Sequence, residues 1–97
     1  MIGVAQGDRQ RIDKWLWHAR LVRTRSAAAA LVAAGVRLNG RRITAASHPV
    51  RTGDVVTVAL DRSVKMVRVE GFAQRRGDAA AARALYRDLT KAPDAKA

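Results

Sequence analysis

Residues 11–40, RIDKWLWHARLVRTRSAAAALVAAGVRLNG, decide the fold. Ile12, Trp15, Leu16 and Ala19 recur at i, i+3, i+4 and i+7, the spacing of a helical stripe that faces a core. Thr24 then offers a hydroxyl for a helix N-terminus and Gly35 a glycine for its end, so a second helix is predicted between them. Its expected core face is Ala27, Ala28, Leu31 and Val32, and the short link Leu21–Thr24 makes the two helices close neighbours. Val36 and Leu38 alternate with Arg37 ahead of Asn39-Gly40, a dipeptide that tolerates positive φ at both positions and so favours a tight hairpin.

Working outward, TAASHPV reads as a loop and Arg51–Asp54 as a turn. The runs VVTVAL and VKMVRVEGF, joined by a turn at Asp61-Arg62, read as antiparallel strands. Asp78 is a candidate cap for a last helix from Ala79, with Ala82, Leu85, Tyr86 and Leu89 as its apolar stripe. The expected fold class is therefore α+β: two N-terminal helices packed on a small, mostly antiparallel sheet, plus a C-terminal helix. One domain is expected over residues 9–91, with flexible ends at 1–8 and 92–97.

Trp17 does not fit the first stripe. Successive helical residues turn by about 100°, so Trp15 and Trp17 face nearly opposite sides. Two of the chain's four aromatic residues are thus spent two positions apart, among cations. Trp17 has three readings: a base-stacking platform, a half-exposed indole, or a residue packed under the C-terminal helix, of which the sequence favours the last.

The net charge is +11, above the magnitude of about 2–8 that suits a small soluble domain. From Arg9 to Arg51 ten basic residues face the single acid Asp13, so an acidic polymer is the natural partner and the N-terminal half carries the field. The candidate surface comprises Arg11, Lys14 and Arg20 on and after the first helix, Arg23, Arg25 and Ser26 at the start of the second, and Arg37, Asn39, Arg41 and Arg42 on the hairpin. Gln74, Arg75 and Arg76 are a candidate extension. Together these cations suit several phosphates at once. Asp13 reads as an ion-pair partner that orients a neighbouring cation.

No metal site is expected: cysteine is absent, and His18 and His48 lack companions at ligand spacing, so each reads as an ordinary surface or loop histidine. Ser26 has no visible triad partners and no glycine-rich phosphate loop appears, so neither an enzyme, a cofactor nor a small-molecule substrate is expected. With neither an export signal nor a membrane span in the sequence, a soluble, cytoplasmic monomer is expected.

The stretch Arg11 to about Leu60, through RIDKWLWHAR, TRSAAAALVAAGVRLNG and RTGDVV, resembles the S4-type RNA-binding domain. With KWLWHAR at the front and QRRGDAAAARALY at the back, residues 9–90 look like the bacterial heat-shock protein 15 family. That resemblance implies a non-enzymatic, ribosome-associated protein that binds large-subunit ribosomal RNA and helps recycle large subunits blocked by a nascent chain on tRNA. It places the RNA face at Arg11, Lys14, Arg20, Arg25, Ser26, Arg37, Asn39 and Arg42, positions the charge pattern also selects. The rival readings are a DNA-binding helix-turn-helix protein and a basic module that contacts acidic proteins.

Overall fold

A computed structural model describes residues 9–60 and 63–90. The predicted turn at Asp61-Arg62, the expected flexible ends at 1–8 and 92–97, and Lys91 at the end of the expected domain lie outside the described residues. Strand β1 (Arg9–Arg11) runs into helix α1 (Ile12–His18), and helix α2 (Arg25–Ala34) follows. Strands β2 (Val36–Leu38), β3 (Arg41–Ile43), β4 (Pro49–Arg51), β5 (Val55–Leu60) and β6 (Ser63–Val69) come next. Helix α3 (Ala79–Arg83) and strand β7 (Tyr86–Asp88) complete the order.

The helix pair forms for the reasons its residues supply. Ile12, Trp15, Leu16 and Ala19 are buried to within 2% exposure, and Trp15 donates its indole N–H to the Gly71 carbonyl at 3.0 Å. Thr24 Oγ1 accepts the Ala27 amide at 2.9 Å, and Gly35 closes α2 at φ +114°. Ala28 and Val32 form the buried part of α2, Leu31 packs at its margin, and Ala27 is exposed, so the expected core face is narrower than predicted.

The main sheet has five strands in the order β3-β2-β5-β6-β7, all antiparallel. Val36, Leu38, Val56, Val58, Val67 and Val69 alternate onto its covered face and join the helices in one core. The opposite face carries Val64 and Met66 exposed. Asn39 and Gly40 sit at φ +53° and +86°, the paired left-handed conformation that the Asn-Gly hairpin was expected to need.

Three expectations are corrected. The last helix ends at Arg83, because the Ala84 and Leu85 amides turn back to Ala81 and Ala82 and the chain then pairs with β6, Val67 opposite Asp88 and Val69 opposite Tyr86. Without β7 the edge of β6 would expose unpaired backbone groups, which outweighs the helical preference of an alanine-rich segment. The β6 strand stops at Val69 rather than running to Phe72, since the Glu70 and Gly71 amides are both taken by the Leu85 carbonyl. Inside the predicted loop 44–50, β4 pairs with β1 as a separate two-stranded sheet, Gln10 opposite Val50.

Candidate nucleic-acid interface

Asp13 organises the first basic cluster. Its carboxylate accepts both Arg11 Nε and Nη2, at 3.1 and 3.0 Å, and the Lys14 amide at 2.7 Å, while Arg25 Nε stands 3.6 Å away. The carboxylate side chain is 5% exposed, whereas Arg11 and Arg25 are 51% and 43% exposed. An acid anchored below thus holds two guanidinium groups whose outer sides meet solvent. Burial pushes the Asp13 carboxyl up, but the Arg11 hydrogen bond, the Lys14 amide and the fields of Arg25 and Arg11 outweigh it and hold the group below its ordinary value. Asp13 therefore stays charged and keeps its two cations in register, as the sequence reading of an orienting acid expected.

His18 is corrected from a surface residue to a buried one, 1% exposed, with no hydrogen-bond partner for Nδ1. Burial, then the field of Lys14, lowers its pKa; the Ala73 carbonyl opposes this, and Arg25 and Arg76 add to the lowering. Lys14 from α1, Arg25 from α2 and Arg76 from the segment before α3 are thus the charges that disfavour its protonated form.

The arginines divide by what their donors do. Arg20, itself at φ +59°, donates Nε to the Gly77 carbonyl at 2.8 Å. Arg76 answers across the same gap, with Nε to the Trp17 carbonyl at 3.0 Å and Nη2 to the Val22 carbonyl at 3.4 Å. This reciprocal clamp fastens residues 76–77 to the turn between the helices, and it gives Arg20 a structural task that charge counting missed. Trp17 is half-buried and outside the apolar core; the guanidinium carbon of Arg76 lies over its ring at 5.7 Å. The favoured reading of Trp17 as packing under the last helix is corrected accordingly, since α3 is too short to present the apolar stripe that reading required.

On the hairpin, Arg42 donates to the Ala34 carbonyl at 3.1 Å and Arg37 to the Gly40 carbonyl at 3.2 Å. Asn39 uses its carboxamide at both ends, Nδ2 donating to Asp54 at 3.1 Å and Oδ1 accepting the Val55 amide at 2.8 Å. These bonds tie the tip of the hairpin to the start of β5 and orient Asn39, which remains exposed. Arg23, Ser26, Arg41, Gln74 and Arg75 are exposed, and among the described residues their side chains make no hydrogen bond or ion pair.

A cleft of about 510 Å³ lies beside the hairpin, lined by Leu38, Asn39, Arg41, Arg42, Ile43 and His48. The His48 carbonyl accepts the Ile12 amide at 2.8 Å, so this cleft adjoins the start of α1, where Arg11 sits. Among the described residues there is no group of three metal-ligating side chains, and no helix is long and apolar enough to cross a membrane.

Residues 10–56 match the family model of the S4 domain. A Heat shock protein 15 homolog of Haemophilus influenzae is 33% identical over 79 residues, covering 80% of this chain and 60% of that protein. A homolog of the same name from Aeromonas salmonicida is 35% identical over 79 residues, covering 80% of this chain and 59% of that protein. The chain therefore spans about 60% of the length of these curated relatives. The solved trimeric structure of Vibrio cholerae Heat Shock Protein 15 is similar with a TM-score of 0.77 at 35% identity, covering 84% of this chain and 83% of that one.

Proposed function

Because the chain belongs to the heat-shock protein 15 family of S4-domain proteins, we propose that its basic surface binds structured RNA of the ribosome. The observation that carries this reading is Asp13 holding Arg11 and Arg25 side by side, next to Lys14. Cations fixed by a buried anchor lose little freedom when a phosphate arrives. Their planar forks suit phosphate oxygens, and A-form RNA is met largely through its backbone and shape. Arg23, Ser26 and Arg41, with their donors unspent within the described fold, complete the contact surface, and Arg75 extends it. No step of this reading needs a catalytic group, and the protein acts as a binding module rather than an enzyme.

The finer proposal is that the RNA belongs to the large subunit and that binding assists recycling of large subunits carrying a blocked nascent chain. Mapping the nucleotides crosslinked to the protein, and comparing co-sedimentation with empty and peptidyl-tRNA-loaded large subunits, tests it; preference for the loaded subunits is expected, and equal recovery would remove the recycling role. For the RNA reading itself, a filter-binding titration against a structured RNA hairpin is decisive. If about six phosphates are neutralised, log K falls with log salt at a slope of about −4 to −5. A flat dependence, or displacement by duplex DNA as effective as by RNA, would overturn it. The reading takes one chain as the binding unit, since one chain supplies the whole cluster. The Vibrio cholerae relative is trimeric, and light scattering at the concentrations of the binding assay distinguishes the two states.

A further inference from the structure

Trp17 occupies a place that neither the core nor the phosphate-binding reading explains. A partly exposed tryptophan keeps a large apolar face that gains when a partner removes water from it. Here the indole lies outside the apolar core. It stands on α1 three residues beyond Lys14, hence on the same side of the helix. Arg76 adds a second cation at the indole, its guanidinium carbon 5.7 Å from the ring centre.

Two features pin the indole in place. The Arg76 guanidinium covers it at 5.7 Å, within cation–π range, and is itself fixed by the Trp17 and Val22 carbonyls at 3.0 and 3.4 Å. The His18 ring stands beside it at 5.3 Å, inclined by 36°. A rigid aromatic surface, partly open to solvent and flanked by Lys14 and Arg76, has the attributes of a stacking platform for a flat, electron-rich ring whose attached phosphates the neighbouring cations would hold.

We infer that Trp17, braced by Arg76, is a nucleobase-stacking site within the basic surface, and that it takes an unpaired base displaced from an RNA helix. The inference rests on the RNA-binding reading and adds to it a contact that duplex RNA alone does not satisfy. Bases in a continuous A-form helix are stacked on one another and offer no free ring face; a bulged base does. The site therefore discriminates between helical RNA and a helix interrupted by an unpaired residue, by an energy that phosphate contacts do not supply.

The test uses the full chain and two probes, an RNA duplex with a single bulged adenosine and the same duplex with an abasic residue at the bulge. Stacking on an aromatic side chain is worth about 1–3 kcal/mol per base, so the adenosine bulge is expected to bind about tenfold more tightly than the abasic one. Trp17→Leu should abolish that ratio while leaving the abasic affinity within about twofold, and Trp17→Phe should keep most of it. Trp15 is fully buried, so acrylamide quenching of the wild-type protein reports mainly on Trp17. The bulged adenosine should shield it and the abasic duplex should not, a readout that survives even if Trp17→Leu fails to fold. Equal affinity of the wild type for both duplexes, each still steeply salt-dependent, would overturn the stacking site and leave the RNA reading standing. Weak, salt-independent binding of both would overturn the RNA reading and the site with it.

Discussion

Asp13 and His18 show how two buried polar groups shape a surface made of cations. Asp13 is 3% exposed and accepts charge-assisted hydrogen bonds from Arg11, so its removal leaves the arginines without their anchor. Asp13→Asn keeps the shape but loses the charge, and at about 1.5–3 kcal/mol per charged hydrogen bond it should lower the melting temperature by several degrees; an unchanged melting curve would show that Asp13 anchors nothing. His18 depends on acid with the same sign as Asp13, but in a higher pH window. Its pKa is lowered in the fold by burial first and by Lys14, Arg25 and Arg76 around it. Below about pH 6.5 the unfolded chain takes up a proton that the folded chain refuses. Stability contributed by neutral His18 is therefore complete above that pH and declines as acid is added, by at most about 1.4 kcal/mol per unit. Urea titrations between pH 7 and 5 should show this decline in the wild type and a flatter profile in His18→Gln. The contribution of Asp13, whose pKa is also lowered, should persist in both proteins until the pH falls into the ordinary carboxylate range. The burial of His18 was hidden in the sequence because it lies off the apolar stripe, and one helical position cannot reveal that Ala73 will return from far along the chain to meet it.

At the scale of elements, legibility followed length and period. The α1–α2 pair and the hairpin were readable because each has a start signal, a stop signal and a repeating apolar face; Thr24, Gly35 and Asn39-Gly40 act in the fold as their chemistry suggests. The three-residue strands β1, β4 and β7 were not, since three positions contain barely one period of alternation. Pro49 was a weak signal, as a residue without an N–H suits the rim of a sheet. Tyr86–Asp88 was masked by the alanine-rich run before it, and only the pairing with β6, reinforced by Lys65 on Asp88 at 2.9 Å and the Met66 amide on Thr90 Oγ1 at 2.7 Å, makes it a strand. The junction of α2 with β2 carries its own prediction. A Cβ at Gly35 would lie 2.6 Å from Arg42 Nε in a backbone at φ +114°, and Arg42 is held there by the Ala34 carbonyl. Gly35→Ala should therefore cost about 1–3 kcal/mol from backbone strain alone and release the Arg42 side chain. A loss of less than 0.5 kcal/mol by chemical denaturation, on the order of an ordinary surface substitution, would mean that the junction relaxes freely.

Across the whole molecule, the sequence located the basic residues but could not say which of them remain available, because hydrogen bonds from guanidinium to distant carbonyls leave no periodic trace. Arg20 and Arg76 cross-link the helix turn to residues 76–77, while Arg23 and Arg41 are exposed without a side-chain partner among the described residues. All four carry the same charge, so a surface that attracts RNA only through its summed field would treat them alike. A surface built as proposed would not. Arg23→Ala with Arg41→Ala removes two phosphate-facing charges, and the salt slope should become shallower by about 2 units, with the melting temperature unchanged within about 2 °C, as for surface substitutions that break no contact. Arg20→Ala with Arg76→Ala removes the same formal charge but unfastens the clamp, and should lower the melting temperature clearly, by about 4–8 °C for each kcal/mol lost in a domain of this size. Measuring both pairs by thermal melting and by RNA titration at several salt concentrations separates the two accounts: equal effects on slope and equal stability would reduce the surface to a diffuse field, whereas a crossed pattern follows only if the fold itself has sorted its arginines into those that build the site and those that meet the ligand.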